Sequence, residues 1–333
     1  MNKKRWISIA VIIVLLVVYV RMGVISAGTN TGTSTETEKL RKSLLSSEPS
    51  FSAETYQAGI GKTIALINVN GTIQSESDSL SSVTNSYNHQ VFLQEIENAF
   101  TNSSIKAVVL AVDSPGGGAY ESDEIYQKLI SLKAKYSKPF IVSMGSMAAS
   151  GGYLISMPAD KIFASRDTLT GSIGVIMSTY NYSQLAEKLG IKEFVFKSGQ
   201  NKDIMNPMRD ATPEEEQIMQ GIVDEYYGYF VDAVAKERNM DRQAVIKAAD
   251  GRIYTATQAK SLGLIDQIGD LDSAISEAAK MINESDPKVI QYKTESLFGL
   301  SRLLSMVSSQ FDLLGIKQDL QNNMGPTVMY LYR

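Results

Sequence analysis

Cysteine is missing from this chain of 333 residues, and histidine occurs once, at His89. Without cysteine there are no disulfides, thiol nucleophiles, zinc ribbons or thiolate-held iron–sulfur clusters. One imidazole excludes a multi-histidine metal site, and any Ser-His-Asp arrangement would have to use that residue. Charge of one sign is also lacking: 32 Lys and Arg face 36 Asp and Glu, for a net charge of −4. No basic block is present, so electrostatic binding of nucleic acid has little support. The length still allows one large core or two ordinary ones.

What is present begins with an apolar run. Lys3, Lys4 and Arg5 precede Trp6–Val20, 15 residues without charge, and beyond Arg21 the apolar stretch continues to Ala27. A bilayer span needs roughly 20 residues. Counted to Ala27 the segment is long enough, because an arginine near one end can snorkel. The positive residues ahead of it predict a cytoplasmic N-terminus and an exported body. A cleaved secretory signal is the alternative. A cut after Ala27 would leave Ile25 where a small residue is preferred, which favours an uncleaved anchor over 1–27. Residues 28–60, rich in Thr, Ser, Gly and Glu, read as a flexible extracytoplasmic linker.

From Lys62 the pattern changes. KTIALINVN, IKAVVLAVD, KPFIVSMG, KIFAS and EFVFK read as strands, the second and third as runs buried on both faces. VFLQEIENAF and ESDEIYQKLISLKAKYS between them read as helices. Alternating strands and helices predict parallel βαβ units and an α/β fold. After Thr212 the chain turns helical, and Pro213 followed by three glutamates marks a helix start. That helix has a broad apolar face with Ile218, Ile222, Tyr226, Tyr229, Phe230 and Ala233. It reads as core, with a share open to packing on another subunit.

Two segments have the character of a reactive site. VDSPGGG ends a buried strand, and its glycines expose backbone N–H groups to a close-lying substrate. VSMGSMAASGGYLIS runs strand, turn, helix, with Ser150 just before two glycines. There a hydroxyl would be exposed, beside an N–H and a helix dipole suited to developing negative charge. A plain helix N-cap is the alternative role. Ser143, Ser146 and Ser156 compete as nucleophiles without the Ser-Gly-Gly context. A serine needs a base. His89, in a polar loop before a helix, reads as a surface or capping residue. Lysine remains. An ordinary amine would have to lose roughly 3 pKa units, at a cost of about 4 kcal/mol, to serve at neutral pH. Such a lysine belongs in an apolar crevice among neutral hydroxyls; Lys202 and Lys197 are the candidates that the pattern leaves open.

SPGGG, MAASGGYLIS, TLTGSIGVI, KSGQNKDIMNP and DGRIYTATQAKSLGLID, in that order and spacing, resemble the signal peptide peptidase A family, in its short membrane-anchored Gram-positive form. The resemblance covers about residues 62–285 and the N-terminal anchor. It implies a Clp protease/crotonase-like βαβ superhelix with a C-terminal helical region, and a ring or dome homo-oligomer whose sites draw on adjacent subunits. By the same resemblance, Ser150 is the nucleophile, Lys202 the general base, and Ser172 the hydroxyl that orients it. The N–H groups of Gly117 and Gly151 form the oxyanion hole, and no cofactor or metal is expected. The implied domains are an anchor over 1–27, a linker over 28–60, a peptidase domain over 61–295, and an amphipathic segment with an extended tail over 296–333. The implied activity is a Ser/Lys-dyad endopeptidase at the extracytoplasmic membrane face that degrades remnant signal peptides and other apolar peptides.

The apolar tail PTVMYLYR itself looks like a substrate. It would either sit in a groove of the same or a neighbouring subunit or pack in an ordinary way. An acyl-CoA enzyme of crotonase type and a catalytically silent scaffold are the rival readings. The first is disfavoured by export and by the lack of a glutamate near the glycine turns, the second by intact Ser150 and Lys202.

Overall fold

The computed structural model describes residues 50–75, 87–295 and 329–331. The expected anchor, the linker before Ser50 and the amphipathic segment after Glu295 lie outside the described residues. Among the described residues no helix is long and apolar enough to cross a membrane.

The order of elements is β1 (Ser50–Gln57), β2 (Thr63–Asn70), α1 (His89–Thr101), β3 (Ile105–Ser114), β4 (Gly116–Gly118), α2 (Ala119–Tyr136), β5 (Phe140–Ala149), α3 (Gly151–Leu154), β6 (Lys161–Ala164) and β7 (Leu169–Gly171). There follow α4 (Ser183–Lys188), α5 (Pro213–Glu237), α6 (Arg242–Ala248), β8 (Ile253–Thr255), α7 (Ala256–Ser261), β9 (Gln267–Ile268), α8 (Leu271–Met281), β10 (Lys288–Glu295) and β11 (Met329–Leu331).

The main sheet runs β1-β10-β2-β3-β5-β6-β9. From β10 to β9 its ladders are parallel. The alternation of strand side chains sorts the core into two faces. Ile64, Leu66, Ala107, Val109 and Ile141 meet Ala274, Ile275 and Ala278 of α8. Ala65, Ile67, Val69, Val108, Leu110 and Val112 meet α1 and α2 through Phe92, Ile96, Phe100, Ile125 and Leu129. Both faces are covered, which is why β2, β3 and the start of β5 are almost continuously apolar.

β5 divides the architecture. Its first half, Ile141–Met144, pairs with β6; its second half, Met147–Ala149, pairs with β7, which pairs antiparallel with β8. The Asp113 carboxylate secures the change of partner by accepting from Ser146 Oγ (2.6 Å) and Met147 N–H (3.0 Å). The ends of β3 and β5 are thereby brought side by side, Ser114 opposite Ala148.

The helix start expected at Pro213 is there, closed by a capping box between Thr212 and Glu215. Apart from Glu215 in its first turn, burial along α5 is confined to its second half, at Phe230, Val231, Ala233 and Val234, while Ile218 and Tyr229 are exposed.

Three expectations are corrected. EFVFK forms no strand: Phe194 and Phe196 are 79% and 96% exposed, and among the described residues no sheet edge pairs with them. Strand propensity needs a neighbouring surface, and this segment lacks one. The flexible linker does not extend to residue 60, because Ser50–Gln57 is a strand of the main sheet whose Phe51 packs edge-on to Tyr292 at 5.1 Å. His89 is not a surface residue. It is 2% exposed, between the Tyr87 hydroxyl (2.5 Å) and Glu124 (2.8 Å), and the cap of α1 is its neighbour Asn88.

Candidate active site

Ser150 stands where β5 ends and α3 begins. Its backbone is left-handed, with φ 53° and ψ −118°, a strained conformation for a residue with a Cβ. Two bonds hold it there: its N–H donates to Gly171 C=O (2.8 Å) and its own C=O accepts from Leu154 N–H (2.9 Å). Its side chain does not cap the helix, so the N-cap role weighed from the sequence is not the one the hydroxyl fills.

The Gly171 bond sets Ser150 beside Ser172. Gly171 and Ser172 both have positive φ, and Ser172 N–H donates to Arg252 C=O at 2.8 Å. Ser172 is buried and lines a cleft with Gly174, Ile176, Tyr227 and Leu331.

The turn after β3 completes the same corner. A Cβ on Gly117 would lie 1.9 Å from Ile73 C=O, and one on Gly116, where φ is 96°, would lie 2.6 Å from Gly151 N. Only glycine permits this approach. Ile73 takes up one edge of the turn: its N–H donates to Gly116 C=O (2.9 Å) and its C=O accepts from Gly118 N–H (2.8 Å).

The other edge is occupied by the chain's own tail. β11 pairs antiparallel with β4, Tyr330 opposite Gly117. On its far side Met329 exchanges two backbone bonds with Ile176, each 3.1 Å. Met329–Leu331 is therefore an extended strand held between two backbone edges. Tyr330 C=O reaches the glycine corner: it lies 2.1 Å from where a Cβ of Gly116 would stand and 3.1 Å from that of Gly151, which is itself 3.2 Å from Gly117 N.

The Tyr330 side chain is buried between α2 and α5, where it lines a pocket together with Ala119, Tyr126, Leu154 and Tyr226. Its ring is 5.0 Å from that of Phe230, and its hydroxyl donates to Tyr226 C=O at 3.1 Å. Burial pushes that phenol well above its ordinary range, so it remains a donor.

Of the residues expected from the sequence, Ser150, Ser172, Gly117 and Gly151 come together. Lys202 does not join them within the chain. It lies exposed in a turn, and no hydrogen bond or ion pair links its amino group to Ser150 or Ser172. Lys197, the competing candidate, is committed to Asp203 (2.6 Å) and Gln200 C=O (2.8 Å). Among the described residues no group of three His, Asp or Glu side chains converges as a metal site requires. Sequence reading missed the two edges, Ile73 and Ile176, and the pocket under Tyr226 and Phe230. The broad apolar face of α5 was the available signal for the pocket; backbone edges leave none.

Residues 133–284 match the family model described as Peptidase family S49. A relative from Enterococcus faecium, named as a signal peptide peptidase SppA, is 40% identical over 297 residues, 89% of this chain and 86% of that one. The chloroplastic serine protease SPPA of Arabidopsis thaliana is 34% identical over 221 residues, 66% of this chain but 32% of that longer protein. Among solved structures, a ClpP1 mutant from Listeria monocytogenes aligns with a TM-score of 0.39 at 13% identity, over 63% of this chain and 94% of that one. On the strength of the match along most of its length, the chain belongs to the signal peptide peptidase A family of S49 serine-type peptidases.

Proposed function

We propose that the protein is a Ser/Lys-dyad endopeptidase that cuts extended apolar peptides, remnant signal peptides among them, with Ser150 as nucleophile and Lys202 of another copy as base. The observation that carries this reading is the seating of Met329–Leu331. A peptide backbone lies as an added strand between Gly116–Gly118 and Ile176, with one carbonyl at the glycine corner and one aromatic side chain in the pocket. β-Strand addition of this kind gives affinity through the main chain and selectivity through alternate side chains.

The chemistry follows from the positions. Neutral Lys202 takes the Ser150 proton as Oγ attacks the carbonyl carbon. The oxyanion is met by the N–H groups of Gly117 and Gly151, each contributing about 3 kcal/mol. Lys202 returns the proton to the departing amine, leaving an acyl-enzyme. Water, deprotonated by the same amine, then releases the acid and regenerates Ser150. Ser172 is one residue from the Gly171 carbonyl that anchors Ser150, which supports a role in orienting the amine without adding a charge.

A base lysine has to be dried, and the exposed Lys202 turn is not dried by its own chain. The segment leading into it carries Leu189, Ile191, Phe194, Val195 and Phe196 on the surface. A second copy laid over that face would bury the apolar side chains and bring its Ser150 corner to the lysine. This supports a homo-oligomer with shared sites. The apolar run over 6–27 supports a single-pass anchor, N-terminus cytoplasmic, with catalysis at the extracytoplasmic face.

The test is complementation. Ser150→Ala and Lys202→Ala are each expected to lose at least about 10³-fold in turnover of an apolar fluorogenic peptide. Oligomers reassembled from the two inactive proteins together should recover activity, since some sites then pair an intact serine with an intact lysine. Turnover by Lys202→Ala alone removes the base; two inactive parents that stay inactive when co-assembled remove the shared site.

A further inference from the structure

The turn that carries Lys202 is tied to the start of α5 by an ionic relay. Asp203 follows Lys202 directly. Its carboxylate accepts from Arg209 Nε (3.1 Å), Arg209 Nη2 (2.8 Å) and Lys197 Nζ (2.6 Å), and Arg209 Nη2 also donates to the Asp203 backbone C=O (3.1 Å). The far side of the guanidinium grips Glu215, with Nη1 2.8 Å from Oε2 and Nη2 against Oε1. Glu215 is in turn fixed by the capping box of α5, accepting from Thr212 N–H at 2.9 Å.

We propose that Arg209 is a positioning residue for the base: by clamping the side chain and backbone of Asp203 to Glu215, it fixes the Lys202 turn and neutralises the carboxylate next to the amine. The inference rests on Lys202 being the base, as argued above.

Two physical needs meet in this one side chain. The first is geometric. The turn itself is held by few backbone bonds, Lys202 N–H to Gly199 C=O (3.2 Å), Ile204 N–H to Asn201 C=O (3.2 Å) and Asn206 N–H to Asp203 C=O (3.0 Å), with Met205 at φ 64°. A reacting group tolerates about 0.5 Å of slack. A planar guanidinium can hold two carboxylates and a carbonyl at once; an ammonium cannot. Exposed ion pairs contribute little. This one is shielded, with the Arg209 side chain 29% exposed and that of Glu215 2% exposed.

The second need is electrostatic. The charged groups facing the turn are Lys197, Asp203, Arg209, Glu193, Glu214 and Glu215; Glu193 meets it through the Asn206 amide at 2.8 Å and Glu214 through the Gln200 and Asn201 amides at 3.5 Å. Within the relay, two cations balance two carboxylates. Arg209, then Lys197, hold the Asp203 carboxyl well below the usual carboxylate range, so it is ionised wherever the enzyme works. Without Arg209, Lys197 alone would face the Asp203 and Glu215 carboxylates, and the net negative charge left beside the amine would favour its protonated form.

The experiment compares Arg209→Ala, Arg209→Lys and Thr212→Ala in the full-length oligomer, reading kcat and KM against pH. Arg209→Ala should lose about 10²-fold in kcat, with KM within about threefold because the substrate strands lie elsewhere. The acid limb of its kcat/KM profile should move up by roughly half to one pH unit. Arg209→Lys keeps the charge but not the fork, so it should lose kcat while leaving the limb in place. Thr212→Ala weakens the same helix start without freeing Asp203, and should lower the melting temperature with no movement of the limb. The inference is overturned by an Arg209→Ala profile that superposes on the parent, or by equal movement of the limb in Thr212→Ala, which would make Arg209 a fold contact only. If Lys202→Ala itself retains turnover, the base assignment has failed. If Lys202→Ala is dead and Arg209→Ala behaves as parent, this inference alone has failed.

Discussion

The corner around Ser150 and the turn around Lys202 are built to opposite plans. At the first, buried strands end side by side, four glycines allow backbones to approach within contact distance, and backbone hydrogen bonds fix Ser150, Ser172 and the glycine turn. At the second, the chain is exposed, apolar side chains face outward, and shape is kept by ions. Under the proposed shared site, the difference separates what one chain makes from what an assembly would supply. A nucleophile and an oxyanion hole need exact spacing, which a packed core provides. A neutral lysine needs to be dried, and drying can be deferred until a second copy arrives. A protomer divided in this way would hold its hydrolytic chemistry in check until assembled.

The sharpest way to break that contrast is one methyl group in each half. Gly117→Ala places a Cβ 1.9 Å from the Ile73 carbonyl oxygen and would displace the proposed oxyanion donor. A loss of 10²- to 10³-fold in kcat is expected, roughly the cost of one such donor. In the Lys202 turn, a Cβ on Gly199 meets nothing within 4 Å and needs no positive φ. Gly199→Ala should therefore leave the melting temperature of the protein unchanged. Steady-state turnover and thermal melts of both variants decide; a parent-like Gly117→Ala enzyme would show that the glycine corner is not the oxyanion hole.

A smaller effect is expected from the tail, which now occupies the groove. A tethered segment competes with substrate at a high effective concentration. Removing residues 325–333 should raise kcat/KM on a short apolar peptide by up to about tenfold, and Tyr330→Ala should fall between parent and truncation, because it empties the pocket while leaving the β pairing. An unchanged rate in the truncated protein would mean that the tail yields to substrate at no cost.

The two plans also explain what could be read beforehand. β2, β3 and β5 were legible because burial on both faces leaves an unbroken apolar run. The Ser150 corner was legible because glycine at that density has few other uses. The Lys202 turn was legible only by resemblance: the residues around it, KSGQNKD, look like any polar loop, and the bonds that shape it reach to Arg209 and Glu215. Ser50–Gln57 reads as linker because Ser, Glu and Thr make up half of it; its place in the sheet depends on a strand more than 200 residues away. His89 was misplaced for the same reason, since Glu124 across the fold is what makes its burial tolerable.

The smallest effect tests stability away from both halves. Glu95 on α1 is 6% exposed, no cation pairs with it among the described residues, and burial pushes its carboxyl up to about 7. A raised carboxyl pKa means that the fold favours the protonated form. Its stabilising contribution is complete below the ordinary value of 4.5 and is lost as pH rises through about 7. The shift corresponds to about 3 kcal/mol. Glu95→Gln keeps the shape and carries no charge at any pH. It should melt several degrees above the parent at alkaline pH and close to it in acid, with turnover by the Ser150 corner unchanged. Melts across that range that run parallel for the two proteins would place the Glu95 carboxylate in contact with water or a cation. Melts that diverge as pH rises from about 4.5 to about 7 and then run parallel would tie the loss of stability to this one buried group, and leave the pH dependence of turnover to the Lys202 turn.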